Sequence, residues 1–321
     1  MRYLSFVDAA GSRRVGVLER SSGTIFDLTD QLPAPPNPAQ GGSPMRRLIA
    51  AARDMDVAEL LPLARAVDAS TVVLLPVVPD PSKIVAAPVN YRAHQAEMNE
   101  AAHIDSLGVF LKAPSSVLGH RGTVRLPYVD RRFDQEGEFA AVIGHETRNI
   151  SEADALDAVF GFTCLLDMTM RGGEDRSVRK SFDTFTPVGP TVVTADEVGR
   201  IDELELHLWV NGDLRQRADL ADLIWSLPRL IAYVSSVMTL LPGDIVTTGT
   251  PEGVGQVHDG DVIELEITGL DRLTVGIDAA GGVPCPTRGA QRGPVPPSGL
   301  TRVAEREAGQ GAGTALPDPA K

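Results

Sequence analysis

Glu136 and Glu138 are two glutamates separated by one glycine. In this chain their spacing is the clearest indication of a chemically functional site. They lie at the start of residues 134–144, where the apolar run 139–143 predicts a buried strand. Because side chains alternate along a strand, both carboxylates should point to the same face. Burying two like charges costs several kcal/mol each without a counter-charge, which a divalent cation provides. A strand whose first residues remain in solvent would explain the same pair.

A third carboxylate, Asp167, ends another apolar run at residues 161–166. Three oxygen ligands without cysteine or histidine suit a hard cation such as Mg²⁺ or Mn²⁺, and suit zinc less well. Such an ion keeps positions open for water and for substrate oxygens. We therefore expect Glu136, Glu138 and Asp167 to hold one divalent cation per subunit.

His94 and Glu97 lie three residues apart in residues 90–98, a segment of helical composition. On a helix this spacing places both side chains on one face, where Glu97 could orient His94 and raise its basicity as a general base. A surface histidine beside a surface glutamate has the same spacing and is commoner by chance. Lys112, in the strand-and-turn stretch 110–116, is either a solvated lysine or an anion-binding one.

Four basic side chains follow Asp167 within residues 171–180: Arg171, Arg176, Arg179 and Lys180. Apolar residues do not recur at a regular spacing in this segment. It is therefore either a loop in solvent or a binding site for an anionic substrate. A second loop, residues 242–255, is rich in glycine but lacks the Gly-Lys-Ser/Thr ending of a phosphate loop. Its backbone N–H groups and the Thr250 hydroxyl could instead bind a carboxylate.

The composition is typical of a globular protein. The chain has 321 residues, of which 43% are hydrophobic, and this is enough for a sizeable core. A net charge of −13 argues against nucleic acid and anionic membrane partners, which require basic patches. No run approaches the roughly 20 apolar residues of a membrane helix, and the first residues lack the apolar segment of a signal peptide. The two cysteines provide no disulfide framework. We therefore expect a cytoplasmic protein.

The pattern of elements predicts an α+β chain that is mostly β. Residues 1–30 predict a β-meander, followed by helical patches at 45–53 and 57–66 and a strand at 72–78. These elements form a small N-terminal β/α domain, residues 1–80, which ends at the proline-rich break 79–82.

Residues 81–280 are expected to form the main domain. It should contain a hairpin at 204–217, turned by Asn211 and Gly212, and helices that begin at Ser151 and Ser226. Residues 281–321 hold 8 glycines and 7 prolines, a composition that predicts a disordered tail.

Several stretches of the sequence, in order and in spacing, resemble the fumarylacetoacetate hydrolase family. The matching stretches are Asn90-Tyr91-Arg92 with His94 and Glu97, Phe110-Leu-Lys-Ala-Pro-Ser-Ser116, Glu136-Gly-Glu138, Asp167 with Arg171, Lys180-Ser-Phe-Asp-Thr-Phe185, Asn211-Gly212 with Arg215-Gln216, and Thr248-Gly-Thr-Pro-Glu-Gly-Val-Gly255. The resemblance implies a mixed β-roll catalytic domain, a homodimer, and Mg²⁺ or Mn²⁺ held by the three acids.

The resemblance also implies roles for the other residues of the site. Lys180 would add positive charge beside an enolate, and His94 with Glu97, on a lid segment, would activate water or move a proton. The substrate would be bound by a further set of side chains: Asn90, Tyr91, Lys112, Arg171, Glu174 and Thr250. The chain departs from the family pattern at Gly172 and Glu174, where Asp and Gln are common, and Glu174 would repel a substrate anion.

Members of this family act on 2-keto or 1,3-diketo acids, so the resemblance implies a small-molecule substrate. The first expectation is a metal-dependent hydrolase that cleaves a C–C bond of an acylpyruvate-like or fumarylpyruvate-like diketo acid through an enolate. A decarboxylase, a hydroxymuconate-type isomerase and a dehydratase share the enolate step and stay open as alternatives. A non-catalytic metal-binding scaffold is a further alternative, whereas a histidine-ligated cupin-like barrel would need a clustered histidine set that the chain lacks.

Overall fold

The computed structural model describes residues 1–34, 42–289 and 303. Strands predominate in this part of the chain, which confirms the predicted α+β, mostly β fold class. The strands in chain order are β1 (Arg2–Val7), β2 (Arg13–Glu19), β3 (Thr24–Asp27), β4 (Arg65–Asp68), β5 (Val73–Leu74), β6 (Ile84–Ala86), β7 (Phe110–Lys112), β8 (Val117–Leu118), β9 (Thr123–Arg125), β10 (Phe133–Gln135), β11 (Gly137–Ile143), β12 (Val159–Leu166), β13 (Thr169–Met170), β14 (Thr186–Val193), β15 (Glu205–Val210), β16 (Asp213–Asp219), β17 (Ile245–Thr247), β18 (Gly255–Gln256), β19 (Val262–Ile267) and β20 (Leu273–Asp278).

The helices are short, except for one. In chain order the α-helices are α1 (Pro44–Ala51), α2 (Arg92–Glu97), α3 (Ile104–Leu107), α4 (Arg176–Arg179), α5 (Ala195–Val198) and α6 (Leu227–Val237). None of the helices in the described ranges has the length and apolar character needed to cross a membrane.

The strands form three sheets. The largest has 12 strands in the order β4-β3-β2-β1-β14-β12-β11-β17-β6-β7, with β5 paired to β1 and β8 to β14. A five-stranded sheet has the order β16-β15-β19-β20-β9, and a three-stranded sheet has the order β13-β10-β18. The large and five-stranded sheets share one hydrophobic core, in which Phe139 and Ile143 of β11 lie with Leu208 and Leu265 of β15 and β19.

The N-terminal segment continues the large sheet. Strands β1 to β3 form the predicted meander, and β1 pairs with β14 through Arg2 and Val193. Leu48 of α1 lies in one hydrophobic cluster with Val142 and Val188 of the later strands. The sheet and this core therefore cross residue 80, and the domain boundary placed there stays a prediction.

The antiparallel pairing of β11 with β12 determines where the acidic residues lie. Gly137 faces Leu166 and Glu138 faces Leu165 in this ladder. A Cβ atom on Gly137 would lie 2.9 Å from Leu208 and 3.0 Å from Leu265 on the five-stranded sheet. The glycine between the two glutamates therefore lets the ends of these two leucine side chains pack against β11, and a larger residue would require both to shift.

Three predicted elements differ from the structure. The helix expected to begin at Ser151 is only a 3₁₀ turn at Ala155–Ala158, and the patch at 57–66 is a 3₁₀ helix, Val57–Leu63, that contains Pro62. Proline cannot donate the backbone hydrogen bond that an α-helix requires. The strand expected at 72–78 is limited to the two residues of β5.

The first residues of the predicted disordered tail are ordered against the main domain. The Cys285 N–H donates to Asp130 Oδ1 (2.8 Å), and the Gly173 N–H donates to the Gly289 carbonyl (2.9 Å). The prediction of disorder is therefore wrong for residues 281–289, because backbone and side-chain partners on a neighbouring loop compensate for their lack of apolar side chains. Residues 290–302 and 304–321, to which the same prediction applied, lie outside the described residues.

Candidate metal centre

Glu136, Glu138 and Asp167 converge at one end of the β11–β12 ladder. Glu136 occupies the break between β10 and β11, and Asp167 follows the last residue of β12. The Asp167 N–H donates to the Glu136 carbonyl (2.8 Å), which fixes the two strand ends together. One carboxylate oxygen from each of the three residues lies within 4.8 Å of the others, and all three side chains are buried. The structure therefore brings together the three acids expected from the sequence.

The negative charge of Glu138 is less compensated by basic side chains than that of Glu136 or Asp167. Its Oε2 accepts hydrogen bonds from the Thr247 hydroxyl (2.5 Å) and the Gly249 N–H (3.0 Å). Among the described residues, no basic side chain forms an ion pair with it. Burial, followed by the negative charge of Asp167, raises the pKa of Glu138 to about 8. A buried carboxylate in this position requires either a proton or a cation.

Glu136 is held between two basic side chains. Lys180 Nζ donates to Glu136 Oε2 (2.6 Å), and Arg171 Nη2 donates to Glu136 Oε1 (2.8 Å). Burial alone would raise the pKa of Glu136, but the positive charges of Lys180 and Arg171 outweigh burial and lower it. Lys180 also donates to Asp167 Oδ2 (2.5 Å) and to the Thr169 hydroxyl (2.7 Å), so its ammonium links two of the three acids.

Lys112 lies behind the acids and is only 1% exposed. Its ammonium donates to Asp167 Oδ1, to the Lys180 carbonyl (2.6 Å) and to the Phe185 carbonyl (3.1 Å). The interpretation as a solvated lysine is therefore wrong. An ammonium has three donors, and these contacts use all of them, so the geometry gives Lys112 a role in holding Asp167 and leaves no donor for a substrate.

Arg171 is committed mainly to acids of the protein. Its Nε donates to Asp134 Oδ2 (2.7 Å), in addition to its bond to Glu136. Burial disfavours its charge, but the attractions of Glu136 and Asp134 outweigh burial and raise the pKa of Arg171. The solvated-loop interpretation of residues 171–180 is wrong for Arg171, Arg179 and Lys180, which are all buried.

His94 and Glu97 form the pair that their spacing predicts. His94 Nδ1 lies 3.1 Å from Glu97 Oε2 on α2, and Glu97 Oε1 accepts the Gly253 N–H (2.9 Å). Since an ionised carboxylate can only accept, Nδ1 carries the proton and Nε2 is the acceptor. His94 is buried, which excludes the interpretation as a surface histidine.

One cleft that opens to solvent is lined by His94 of the dyad, by two of the three acids, Glu136 and Glu138, and by the basic cluster. Its polar lining residues are His94, Glu100, Glu136, Glu138, Arg171, Arg176, Arg179, Lys180 and Thr250. Thr250 donates its hydroxyl to the Gly137 carbonyl (3.0 Å) and accepts from Gln216 Nε2 (2.8 Å).

Two residues expected at the substrate, Asn90 and Tyr91, are not among the residues that line this cleft. The side-chain nitrogen of Asn90 donates to the Trp225 and Thr248 carbonyls, and its side-chain oxygen accepts the Trp225 N–H. Asn90 therefore links backbone segments that are distant in sequence. Tyr91 is buried beside a different cleft, where burial raises the pKa of its hydroxyl.

Glu174 points away from the cleft. Arg131 Nη2 donates to both its carboxylate oxygens (2.6 Å each), and the Thr287 hydroxyl bonds to it as well. Burial would raise its pKa, but these hydrogen bonds lower the pKa of Glu174 to about 2. The expected repulsion of a substrate anion is thus removed by an arginine that neutralises this carboxylate.

Sequence analysis gave no role to three residues that build the centre. Asp134 orients Arg171, Thr247 bonds to Glu138, and Gln216 Oε1 accepts the Gly137 N–H (2.8 Å). Asp134 could have been found, because it continues the alternation of Glu136 and Glu138 by two residues. Gln216 belongs to one of the stretches that resemble the family, although no role was assigned to it, whereas Thr247 is distant in sequence and carries no comparable signal.

The donor set fits a hard divalent cation. Four buried acids, Asp134, Glu136, Glu138 and Asp167, face three buried basic groups, Lys112, Arg171 and Lys180. A divalent cation held by the three acids would add positive charge beside Arg171 and Lys180 and prepare the site for an anionic ligand. Oxygen ligands alone suit Mg²⁺ or Mn²⁺.

Comparisons with known proteins agree with this geometry. The profile of the Fumarylacetoacetate (FAA) hydrolase C-terminal family matches residues 83–277. Maleylpyruvate hydrolase of Aquipseudomonas alcaligenes is 39% identical over 278 residues, which span 82% of this chain and 96% of that protein. The crystal structure of maleylpyruvate hydrolase from Sphingobium sp. SYK-6, in complex with manganese(II) and pyruvate, superposes with a TM-score of 0.75. It is 40% identical and covers 87% of this chain and 99% of that one.

A relative with a different reaction matches a shorter region. The mitochondrial oxaloacetate tautomerase of Arabidopsis thaliana is 40% identical over 205 residues, which span 61% of this chain and 91% of that protein. The matched family profile covers more than half of the chain, and it includes the three acids, the His94–Glu97 pair and Lys180. The chain therefore belongs to the fumarylacetoacetate hydrolase family of enzymes.

Proposed function

We propose that this enzyme hydrolyses a C–C bond of an acylpyruvate, a 1,3-diketo acid, and releases pyruvate and a carboxylic acid. The observation that carries the proposal is that two acids of the metal-binding set, Glu136 and Glu138, line the same cleft as a histidine oriented by a carboxylate. Two maleylpyruvate hydrolases that align over nearly their whole lengths support the choice of substrate class.

Glu136, Glu138 and Asp167 would hold the cation, which as a Lewis acid supplies stabilisation of negative charge on the keto acid oxygens. His94 Nε2 takes a proton from water, since Nδ1 is occupied by Glu97. The water oxygen bonds to the distal carbonyl carbon of the 1,3-diketone, and the adjacent C–C bond breaks. Its electron pair stays on the carbon that becomes the methyl group of pyruvate, which then takes up a proton.

Lys180 is the basic group best placed to assist this bond cleavage. Its ammonium lines the cleft while it is fixed by Glu136, Asp167 and Thr169. A charge that is already oriented needs no reorganisation when negative charge develops on the leaving keto acid. Thr250, fixed by Gln216 and Gly137, contributes a polar wall to the same cleft.

The alternative is a lyase or isomerase reaction on a 2-keto acid, such as decarboxylation, tautomerisation or dehydration. The similarity to an oxaloacetate tautomerase favours it, because that reaction requires proton transfer without an attacking water. Replacement His94→Ala separates the two. If hydrolysis is the main activity, the variant loses C–C cleavage of acetylpyruvate. The alternative would be favoured by two results together. The wild-type enzyme would cleave no acylpyruvate, and the variant would decarboxylate or tautomerise oxaloacetate at the wild-type rate.

The direct test is a panel assay with the metal-loaded enzyme. Acetylpyruvate, maleylpyruvate and fumarylpyruvate are offered with Mn²⁺, with Mg²⁺ and after chelation, and the pyruvate released is quantified. We expect hydrolysis that depends on the cation. No pyruvate release from any member of the panel, despite measured Mn²⁺ binding, would overturn the proposal and favour a non-catalytic scaffold.

We also propose Mg²⁺ as an alternative to Mn²⁺, a cytoplasmic location and a homodimer. Hard oxygen ligands suit both cations. Both cysteines, Cys164 and Cys285, are free thiols, which suits a reducing compartment. Large apolar side chains such as Val73 (69% exposed) and Leu111 (43%) lie on the surface and would gain from burial against a second chain. Light scattering on the purified protein tests the dimer.

A further inference from the structure

A short segment that follows the last strand, residues 283–289, lies across the loop before α4, and we call it the C-terminal strap. At its start the Val283 N–H donates to the Pro127 carbonyl (3.0 Å). At its end the Gly289 carbonyl accepts the Gly173 N–H (2.9 Å). The strap is therefore attached at both ends, and its second attachment is to the loop that leads into α4.

A buried ion pair between Arg131 and Glu174 lies beneath the strap, with side chains that are 1% and 11% exposed. Arg131 Nη2 donates to both carboxylate oxygens of Glu174 (2.6 Å each). The Thr287 hydroxyl donates to the same carboxylate, and Arg131 Nη1 donates to the Thr287 carbonyl (3.4 Å). The strap thus contacts both partners of the pair and keeps water from them, which strengthens their attraction.

Two glycines make room for this arrangement. A Cβ atom on Gly172 would lie 2.3 Å from Glu174 Oε2 and 2.4 Å from Arg131 Nη2. A Cβ atom on Gly289 would lie 2.1 Å from the Glu174 carboxyl group. Neither position accepts a side chain while the ion pair is formed.

The same residues are those at which the chain departs from the family pattern. Gly172 and Glu174 replace the common Asp and Gln, and the strap begins after residue 277, where the match to the family profile ends. Glu174 in its observed position needs Gly172 beside it and the strap above it. The two departures and the strap therefore fit together as one structural unit.

The loop under the strap connects to the cleft on both sides. Arg171 precedes the loop and Arg176 follows it, and both line the cleft. Glu174 lies between these two arginines in the chain. If its ion pair opened, its carboxylate would add negative charge beside a bound anion, and like charges repel.

We propose that the C-terminal strap positions the loop 172–175 and keeps Glu174 paired with Arg131, so that an anionic ligand can bind in the cleft. Arg131, Glu174 and Thr287 are then positioning residues, because they do not line the cleft and act on the ligand through the loop. The inference rests on the proposed function for the negative charge of the ligand.

The test opens the strap in the full chain without changing a residue of the cleft. Gly289→Ala places a methyl group where the Glu174 carboxylate lies, and Gly276→Ala is the matched control, since a Cβ atom on Gly276 meets no atom within 4 Å. Hydrogen exchange at the Gly173 amide of the metal-free protein reports whether the strap is closed. Calorimetric titration of oxalate, a small dianion that chelates a divalent cation, into the Mn²⁺-loaded protein reports ligand affinity.

A double variant, Gly289→Ala with Glu174→Gln, separates the charge of Glu174 from the order of the loop. Glutamine keeps the shape of the side chain and removes its charge, so the added methyl group still opens the strap. If the strap acts by controlling this charge, the double variant binds oxalate normally although its loop is open. A role of the strap in folding alone would give no such rescue.

In Gly289→Ala we expect exchange at the Gly173 amide to be at least about tenfold faster than in wild type, because its hydrogen bond to the strap is lost. The dissociation constant of oxalate should rise about tenfold, because the released carboxylate repels the dianion. Gly276→Ala should match wild type in both measurements. The double variant should exchange rapidly at Gly173 and bind oxalate within about twofold of wild type.

Unchanged exchange or unchanged oxalate affinity in Gly289→Ala would overturn the inference, as would failure of Glu174→Gln to restore the affinity. Neither measurement involves turnover, so failure of the inference is distinguishable from failure of the proposed function in the panel assay.

Discussion

The cleft has an acidic end, formed by Glu136, Glu138 and Asp167, and an arginine end, formed by Arg176 and Arg179. At the acidic end each basic neighbour is fixed by hydrogen bonds, as Lys180 is by two of the acids. At the arginine end, Arg179 is comparably buried and pairs with no described side chain. The acidic end is carried by paired strands, and the arginine end by a four-residue helix. The two ends therefore differ in how their basic groups are held, because carboxylates fix Lys180 at the acidic end, whereas Arg176 and Arg179 form no ion pair with a described side chain.

Of the replacements considered, that of Glu138, whose charge is the least compensated by basic side chains, should have the largest effect on activity. In Glu138→Gln the volume is kept while one ligand charge is lost, so we expect hydrolysis to fall by about 10³-fold or more and Mn²⁺ affinity to fall with it. The measurements are kcat/KM and a Mn²⁺ titration. Glu146→Gln, at an exposed glutamate beyond β11, is the matched control and should change neither. Unchanged Mn²⁺ affinity in Glu138→Gln would contradict the metal assignment.

Paired and unpaired buried cations should differ in their contribution to stability. Lys112→Met removes one of the two buried ammonium groups that bond to Asp167, so we expect the free energy of unfolding of the metal-free protein to fall by about 3 kcal/mol. Arg179→Met removes a charge that forms no ion pair with a described side chain, so it should leave the free energy of unfolding unchanged or raised. Urea denaturation of both variants measures this contrast. Equal destabilisation by the two replacements would show that Arg179 has a structural partner in the protein.

The histidine on α2 should affect catalysis and leave metal binding intact. In His94→Gln the general base is lost, and we expect kcat for acylpyruvate hydrolysis to fall by about a hundredfold. Mn²⁺ affinity should stay at the wild-type value, since His94 contacts Glu97 and no metal ligand is displaced. His258→Gln, at an exposed histidine, is the control. A variant with full kcat would remove His94 from the mechanism.

The smallest effect is expected at Glu174, which connects the loop before α4 to Arg131 and Thr287. Because folding lowers its pKa from 4.5 to about 2, the ion pair stabilises the fold above pH 4.5 and loses this contribution as the pH falls towards 2. Wild type should therefore be more stable than Glu174→Gln at pH 7, and the difference should narrow below pH 4.5. Urea denaturation at several pH values checks this. A difference that does not change with pH would contradict the ion pair.

Local patterns in the sequence predicted the parts of the site that depend on short-range geometry. The i, i+2 spacing of Glu136 and Glu138 and the i, i+3 spacing of His94 and Glu97 both give the observed proximity. The alternation in residues 204–210 likewise predicted β15, which exposes every second side chain. Predicting these contacts requires only the regular repeat of side-chain directions along a strand or a helix.

Long-range pairing could not be predicted in the same way. Lys112 and Asp167 are 55 residues apart, so composition alone could not distinguish a buried partner from a solvated lysine. The contact of Glu174 with Thr287 joins residues 113 positions apart and depends on a segment whose composition suggested disorder. The same limit applies to Arg179, since the lack of an ion pair with a described side chain becomes visible only once its neighbours are placed.

Anomalous diffraction at the manganese edge, from crystals of the full chain grown with Mn²⁺, would locate the cation directly. We expect one strong peak per chain, bonded to carboxylate oxygens of Glu136, Glu138 and Asp167. Absence of a peak among these residues at saturating Mn²⁺, or a peak on other side chains, would contradict it.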